Sequence, residues 1–278
     1  MANVLDHLTR AAMRARGYRA HQVPTGVGEV AALEWPRGGS LAPVVLLHGW
    51  ASASVHHVLT ARRLRPHARR VVMPDLPGHG FSASPDQLTP GQTTTGLQRA
   101  LDTLVDEPAV LVAGSLGGLA AVRYALARPE RVRGLVLTSP FGAPLPAADL
   151  DRLVALLRAE DLASTKAFLD RLSRRPLLRN WLFAPSMQRI LQRPSLQSLL
   201  DHVRSMPLLT PDDLQSLAAP TTVVWGEHEA LLPEASVDFW AGGPRVELVT
   251  APGCGHSPSL DRPRWFAELV VERLERWS

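Results

Sequence analysis

The sequence predicts an α/β fold in which a mostly parallel, doubly wound sheet is interrupted by one helical insertion. Two observations indicate this fold. Short runs of β-branched and leucine residues alternate with amphipathic stretches, a pattern typical of parallel strands that are buried on both faces. Residues 143–217 break the alternation, because they contain amphipathic segments and prolines but no candidate strand. A crossover between parallel strands needs only about a dozen residues, so this segment of roughly 75 residues is predicted to be an insertion.

The candidate elements follow one another in the order expected for such a fold. Apolar residues of the first 17 positions share a helical face that ends at Gly17, which predicts a surface helix; a basic amphipathic segment that touches a membrane is the alternative. Strands are predicted at residues 18–23, 30–35, 44–47, 71–74, 110–113, 135–138, 222–225 and 246–249. Further helices are predicted at residues 54–64, 95–106, 117–128, 234–241 and 263–277.

Two domains are predicted from this pattern. Residues 1–142 and 218–278 form the α/β core, and residues 143–217 form a helical cap. The cap is expected to lie over the carboxyl edge of the sheet, where folds of this class bind ligands.

The charge composition argues against nucleic acid as a partner. The chain has 30 basic and 26 acidic residues, a net charge of +4, and the basic residues are interspersed with acids. Lys166 is the only lysine, so the arginine content indicates a coding bias before it indicates a binding surface. Cys254 is the only cysteine, which excludes an internal disulfide.

No membrane span, metal site or cofactor is predicted. Residues 108–122 form an uncharged, largely apolar stretch, but it is interrupted by three glycines and is shorter than the ~18–20 residues that a spanning helix needs. The first residues show neither the apolar core nor the cleavage site of a secretory signal, so a cytoplasmic protein is expected. Neither a compact metal-ligand spacing nor a phosphate-binding glycine loop with its lysine occurs.

The chemistry is first indicated by a serine at the end of a predicted strand. Residues 110–118 contain an apolar strand, a turn of small residues with Ser115, and the start of a helix. On such a turn the serine backbone is strained and its hydroxyl exposed, and the residues two before and two after it must be small because strand and helix approach closely. Here these residues are Ala113 and Gly117, so the motif differs by one methyl group from Gly-x-Ser-x-Gly.

Four further segments carry the residues that such a serine needs. They are residues 46–50, which end in His-Gly-Trp; residues 75–82, which are Asp-Leu-Pro-Gly-His-Gly-Phe-Ser; residues 225–233, which contain Glu227 and Glu229 after a strand; and residues 253–256, which place His256 on a glycine loop.

These segments together resemble the α/β-hydrolase superfamily, over about residues 40–140 and 217–277. The chain is most similar to the capped serine esterases and lipases of bacterial monoacylglycerol-lipase type. More loosely it is similar to the pimeloyl-carrier-protein methyl ester esterases, with which it shares Ser-Leu-Gly-Gly-Leu at residues 115–119. The resemblance implies an α/β-hydrolase fold in which Ser115 is the nucleophile and His256 its base. The acid that orients the base is then Glu229, with Glu227 as the alternative.

The resemblance also implies how the rest of the site is built. The backbone N–H groups of Trp50 and Leu116 are expected to form the oxyanion hole. His48 and His79 are expected to structure their loops, and Cys254 to be a buried, inert thiol. The substrate pocket is expected to include His48, Gly49, Phe141, Trp181 and Phe183.

The predicted reaction is hydrolysis of a carboxylic ester with an apolar, short-to-medium acyl chain, a monoacylglycerol among the candidates, through an acyl-enzyme. Two alternatives use the same three residues: hydrolysis of a carbon–carbon bond, and perhydrolysis. A non-catalytic binding module of this fold ranks last, because no residue of the triad is lost. A serine at position 115 argues against the dehalogenases and epoxide hydrolases of the superfamily, which have aspartate there.

The expected partner is therefore a small-molecule ester. Four arginines of the cap are predicted to form a solvated helix face, or alternatively a weak contact with anionic lipid or an acyl-carrier protein: Arg171, Arg174, Arg175 and Arg179. The sequence leaves the oligomeric state open.

Overall fold

Eight strands form one sheet in the computed structural model, which describes residues 3–174 and 178–278. The strands are β1 (Arg19–Pro24), β2 (Glu29–Trp35), β3 (Val44–Leu47), β4 (Val71–Pro74), β5 (Ala109–Gly114), β6 (Val132–Thr138), β7 (Thr221–Gly226) and β8 (Val246–Ala251). Their order across the sheet is β1-β2-β4-β3-β5-β6-β7-β8. β2 pairs in antiparallel fashion with β1 and β4, and the other neighbours are parallel. The predicted α/β fold is confirmed.

The direction of strand addition reverses at β3. Strand β4 lies on one side of β3, and strands β5 to β8 follow one another on its other side. Loops that leave the carboxyl ends of β3 and β5 therefore diverge, and the crevice between them is where open α/β sheets bind ligands. Residues 48–50 and Ser115 follow these two strands.

Helices surround the sheet. They are α1 (Val4–Ala15), α2 (Val58–Leu64), α3 (Pro90–Leu104), α4 (Leu116–Ala127), α5 (Ala147–Arg158), α6 (Leu162–Leu172), α7 (Leu178–Leu191), α8 (Pro194–Asp201), α9 (Pro211–Gln215), α10 (Ala235–Ala241), α11 (Pro258–Asp261) and α12 (Pro263–Trp277). Within the described residues, no helix combines the length and the apolar content needed to cross a bilayer.

The central strands are apolar throughout because helices cover both faces of the sheet. In β3, Val45 and Leu47 pack in the cluster that contains Leu101 of α3 and Val122 of α4. The alternate residues Val44 and Leu46 pack in the cluster on the opposite face, which contains Leu64 of α2 and Val270 of α12. Each such fully buried side chain contributes roughly 1.5–3 kcal/mol. This packing makes the carboxyl edge of the sheet a rigid platform for its loops.

Helices α5–α9 lie between β6 and β7, and the described part of that segment contains no strand. Phe168, Ile190 and Leu199 from these helices form a third apolar cluster with Ala51 and Leu88 from the loops after β3 and β4. The helices of the predicted cap therefore pack on the carboxyl edge of the sheet. The boundaries at residues 142 and 217 stay a prediction.

Candidate active site

The backbone at the carboxyl edge of the sheet is strained at three successive strand ends. Four described non-glycine residues have a positive φ, and three of them follow β3, β5 and β6: Ala51 (φ 53°), Ser115 (φ 50°) and Ser139 (φ 37°). Each such conformation costs on the order of 1–3 kcal/mol and persists only where the surroundings enforce it. Strain of this kind clusters at functional sites, so the edge is the first place to look for chemistry.

Ser115 lies on the turn from β5 into α4, with φ 50° and ψ −121°. Its own N–H donates to the carbonyl of Thr138, and its carbonyl accepts the N–H of Phe141, each over 3.0 Å. A Cβ at Gly117 would lie 2.5 Å from the carbonyl oxygen of His48, so the start of α4 fits against β3 only because residue 117 has no side chain. The turn is thus fixed from both neighbouring strands, and the Ser115 side chain lines the cavity above it.

His256 lies on the loop after β8 and is buried. Its Nδ1 is 2.8 Å from Oε2 of Glu229, which lies on the loop after β7. Because the carboxylate can only accept, Nδ1 carries the proton and Nε2 of the neutral ring keeps its lone pair. Within the described part of the chain Nε2 has no hydrogen-bond partner, and His256 lines the same cavity as Ser115. The arrangement therefore presents an oriented base to the cavity that Ser115 lines.

Glu229 is held by more than the histidine. Its Oε1 accepts the N–H groups of Leu231 and Leu232 over 2.7 and 3.1 Å, and its side chain is 3% exposed. Burial raises the pKa of Glu229, but the electrostatic attraction to His256 and the hydrogen bond with it, helped by the Leu231 N–H, lower this pKa to about 2. The acid is therefore ionised across the neutral range.

The other candidate acid lies apart from the base. The side chain of Glu227 is 52% exposed, and its Oε2 accepts the N–H of Gly253 over 2.7 Å. Of the two glutamates that the sequence left open, the structure brings Glu229 to His256.

A residue that the sequence analysis missed braces the loop of His256. Asp261 of α11 is buried, and one of its carboxylate oxygens accepts the N–H of Gly255 over 2.8 Å. The same carboxylate accepts the hydroxyl of Ser173 and the N–H of Arg174 at the end of α6, over 2.5 and 3.1 Å. One buried acid therefore joins the histidine loop to the helices over the site.

The two backbone segments that carry the predicted oxyanion donors adjoin Ser115. Leu116 is the first residue of α4, where the N–H has no intrahelical partner and the helix dipole favours negative charge. Gly49 is in contact with Ser115, since a Cβ added to it would lie 3.1 Å from the serine Cβ. The Gly49–Trp50 backbone thus passes directly beside the serine.

The buried side chains of His48 and Asp75 connect the loop after β3 to the loop after β4 through hydrogen bonds. His48 bonds the carbonyl of Gly49 through Nδ1 and accepts the N–H of Leu76 on Nε2, over 2.8 and 3.1 Å. This pattern requires a neutral ring, and burial lowers the pKa of His48 to about 4. Asp75 accepts the N–H groups of Ser54 and Phe81, and burial raises its pKa to about 6. His48 therefore structures the loop that carries Trp50.

A cavity of about 530 Å³ opens above these loops, within the range usual for small-molecule sites. Four of the predicted pocket residues line it: His48, Gly49, Phe141 and Phe183. The fifth, Trp181, lies in the first turn of α7, and its side chain is outside the described part of the structure. The helices over the site add apolar side chains that the sequence did not assign to the pocket: Leu153, Leu157, Phe168, Leu172, Met187 and Ile190.

No metal site accompanies this cavity in the described residues, where no group of three or more His, Cys, Asp or Glu side chains is arranged to hold an ion. Cys254 is buried and packs in the core cluster that contains Phe266. Of the four cap arginines, Arg171 and Arg174 are exposed, whereas Arg175 and Arg179 belong to positions whose side chains the structure does not describe.

The sequence of the chain matches a known family and its members. The profile of the alpha/beta hydrolase family matches residues 44–269. The chain is 29% identical over 260 residues to a 2-hydroxy-6-oxononadienedioate/2-hydroxy-6-oxononatrienedioate hydrolase 2 of Pseudomonas putida, which covers 86% of this chain and 89% of that protein. It is 30% identical over 249 residues to the pimeloyl-[acyl-carrier protein] methyl ester esterase of Nitrosospira multiformis, with 82% and 92% covered.

Solved structures share the fold. The crystal structure of a putative lipase from Acinetobacter baumannii AYE superimposes with a TM-score of 0.84 over 99% of this chain and 97% of that one, at 19% identity. At this identity the likeness establishes the architecture alone.

Proposed function

The chain belongs to the alpha/beta hydrolase family, and on this premise we propose that it is a serine hydrolase that cleaves carboxylic esters with an apolar, short-to-medium acyl chain. One observation carries the proposal. The buried His256–Glu229 pair leaves Nε2 of the histidine without a partner in the described chain, in the cavity that the strained Ser115 also lines. A base with its lone pair available beside a serine is the arrangement that activates a hydroxyl for attack on an acyl carbon.

The proposed reaction has two halves. The Ser115 oxygen attacks the ester carbonyl while Nε2 of His256 takes the hydroxyl proton, and ionised Glu229 stabilises the imidazolium. The tetrahedral oxyanion accepts hydrogen bonds from the N–H groups of Leu116 and Trp50, each worth roughly 10²–10³ in rate. Collapse breaks the bond to the alcohol oxygen, which leaves with the proton from His256. Water then attacks the acyl-serine with the same base and releases the carboxylic acid.

The Ser115–His256 hydrogen bond is expected to form when substrate binds. Hydrogen bonds of this kind are often long in unliganded sites and shorten in the complex with substrate. Because Nε2 of His256 has no other partner in the described chain, it is available to accept the proton of Ser115.

The lining of the cavity supports an apolar acyl chain. The helices over the site contribute leucine, isoleucine, methionine and phenylalanine side chains, and none of the described lining residues is an arginine or lysine. A substrate with free carboxylates would place negative charge among apolar groups with no full cation to pair it. A neutral ester avoids this cost.

The second candidate function is hydrolysis of a carbon–carbon bond. The Pseudomonas putida relative favours it, since its name describes a hydrolase of a dienedioate. Such a compound has two carboxylates, and the absence of arginine and lysine among the described lining residues weighs against it for this chain. Perhydrolysis would replace water by hydrogen peroxide in the second half of the reaction, with the same residues.

A series of p-nitrophenyl esters from C2 to C12 tests the proposal through the release of p-nitrophenolate. We expect turnover with an optimum at short-to-medium chain length, and Ser115→Ala to lose on the order of 10⁶ in kcat. Ser216→Ala, at an exposed helix end, is the matched control and should retain full activity. No turnover of any ester, or faster turnover of 2-hydroxy-6-oxononadienedioate, would reject ester hydrolysis. A tenth of the activity left in Ser115→Ala would reject the nucleophile.

A further inference from the structure

Helix α1 is amphipathic, but its apolar side faces outward. Val4, Leu5 and Leu8 are 77%, 50% and 63% exposed, and they are three of the eight large apolar side chains exposed in the described chain. At about 100° per residue they share an arc of about 120° with three exposed alanines, at positions 11, 12 and 15. A surface helix of a globular protein normally buries such an arc.

The inward side of α1 anchors Met13 in the core, and its polar side chains are specifically paired. Asp6 is buried and accepts from the N–H of Asn3 and from Nε2 of His56, each over 3.0 Å. The guanidinium of Arg10 stacks over the Phe81 ring at 4.3 Å. Rolling the helix to bury its leucines would expose these groups and break both contacts. The outward apolar arc is therefore fixed by the fold.

The charges around the arc are of one sign. Asp6 is the only acid of α1 and faces inward, whereas Arg14 in its last turn and Arg16 at its C-cap are exposed. Apolar side chains flanked by arginines are the chemistry of a helix that lies in the headgroup region of an anionic bilayer.

The arc is continuous with the mouth of the active-site cavity. Leu5 and Thr9 of α1 line the cavity, and Leu260 of α11, which is 52% exposed, lines it as well. A surface that covers the outer side of α1 would therefore also lie against the entrance to the site.

We propose that α1 is an interfacial helix that docks the cavity mouth on an anionic lipid surface, from which an apolar ester enters the site. The docking is independent of catalysis, and only the delivery of an ester rests on the function proposed above. The four cap arginines are not required, because the apolar arc and its own flanking arginines supply both parts of the contact.

Flotation of the full chain with phosphatidylglycerol or phosphatidylcholine vesicles tests the docking. We expect binding to phosphatidylglycerol that weakens as salt is added, and much weaker binding to phosphatidylcholine. The double variant Val4→Ser/Leu8→Ser changes two residues of the arc that do not line the cavity, and it should bind at least about tenfold more weakly. Leu248→Ser, at an exposed leucine of β8, is the matched control and should bind as the unchanged protein does.

Activity measurements separate docking from catalysis. The double variant should hydrolyse a water-soluble acetate ester at the unchanged rate, but an apolar ester presented in phosphatidylglycerol vesicles more slowly. Ser115→Ala should still float with the vesicles, so failure of the proposed reaction leaves the docking result intact. Absence of binding by the unchanged protein would overturn the proposal. So would a loss in Leu248→Ser equal to that in the double variant, or a dimer that the double variant converts to monomer without any vesicle binding.

Discussion

The loops at the carboxyl edge of the sheet and the helices that cover them hold the cavity by different means. The loops are fixed by buried hydrogen bonds and close backbone contacts, such as the two N–H groups on Glu229 and the fit of Gly117 against His48. The helices α5–α8 contribute mainly apolar side chains, such as Phe168 and Ile190. Directional contacts position reacting atoms, whereas apolar packing determines volume. Changes in the loops should therefore alter the rate of chemistry, and changes in the helices should alter the choice of substrate.

Among changes in these two regions, substitution of Glu229 is expected to have the largest effect on kcat. Glu229→Gln removes the charge that stabilises the imidazolium and the acceptor that fixes its tautomer, and should lower kcat by about 10⁴. Glu227→Gln is the matched control on the same loop and should stay close to the unchanged rate, because Glu227 is half exposed and bonds Gly253. The measurement is kcat of both variants on one ester. A larger loss in Glu227→Gln than in Glu229→Gln would show that Glu227 is the acid that orients His256.

Glu229 should also make stability depend on pH. Its pKa is lowered from 4.5 to about 2 in the folded chain, so the unfolded chain binds its proton more readily. The resulting stabilisation, at most about 3 kcal/mol, is present above pH ~4.5 and is lost as the pH falls toward 2. Urea unfolding of the unchanged protein and of Glu229→Gln should give free energies that converge as the pH is lowered through this window. A constant gap would show that the low pKa is absent.

A smaller effect on kcat is expected from Asp261, which holds the loop of His256 through the N–H of Gly255. Asp261→Asn replaces one of the two carboxylate acceptors by an NH₂ group, so Gly255, Ser173 and Arg174 cannot all remain bonded. A displacement of His256 by about 1 Å should lower kcat by about 10², with little change in KM. Asp212→Asn, at an exposed position of α9, is the control. An increase in KM at unchanged kcat would show that Asp261 does not position the base.

The smallest effect is expected from the covering helices. Met187→Ala enlarges the cavity by removing a half-buried side chain of α7. The preference among p-nitrophenyl esters should move toward longer chains by about tenfold in the ratio of kcat/KM, with the acetate ester nearly unaffected. A uniform loss for all chain lengths would instead place Met187 among the residues that act on the chemistry.

The same contrast explains which features could be predicted from the sequence. The central parallel strands β3 to β7 were predicted because a doubly covered parallel sheet requires continuous apolar runs, which a single sequence displays directly. Helix α3 begins at Pro90 rather than at the predicted residue 95, because a capping box of Thr89 and Gln92 starts it before its apolar periodicity begins. Helix α7 continues through Pro185, one of the prolines that lie among the amphipathic segments of the predicted insertion.

The contacts between loops could not be predicted from the sequence. Two glutamates follow β7 at nearly the same place, and only the folded loop distinguishes the one that reaches His256. Asp261 gave no signal beyond being an acid five positions after the histidine, since Ser173 and Arg174, two of its three partners, lie in a distant segment of the chain. The periodicity of residues 1–17 predicted the helix α1 but not its orientation, because a periodic pattern defines an apolar side without showing what it faces.

The central claim is that Ser115 forms a covalent intermediate with His256 as its base. A fluorophosphonate ester tests it directly, because an activated serine displaces fluoride and retains the phosphonyl group, which adds a known mass. After incubation and proteolysis, mass spectrometry should find one phosphonyl group, on the peptide that contains Ser115, and none in Ser115→Ala. In His256→Ala the rate of labelling should fall by several orders of magnitude. Labelling of another residue, or undiminished labelling of Ser115→Ala, would contradict the account.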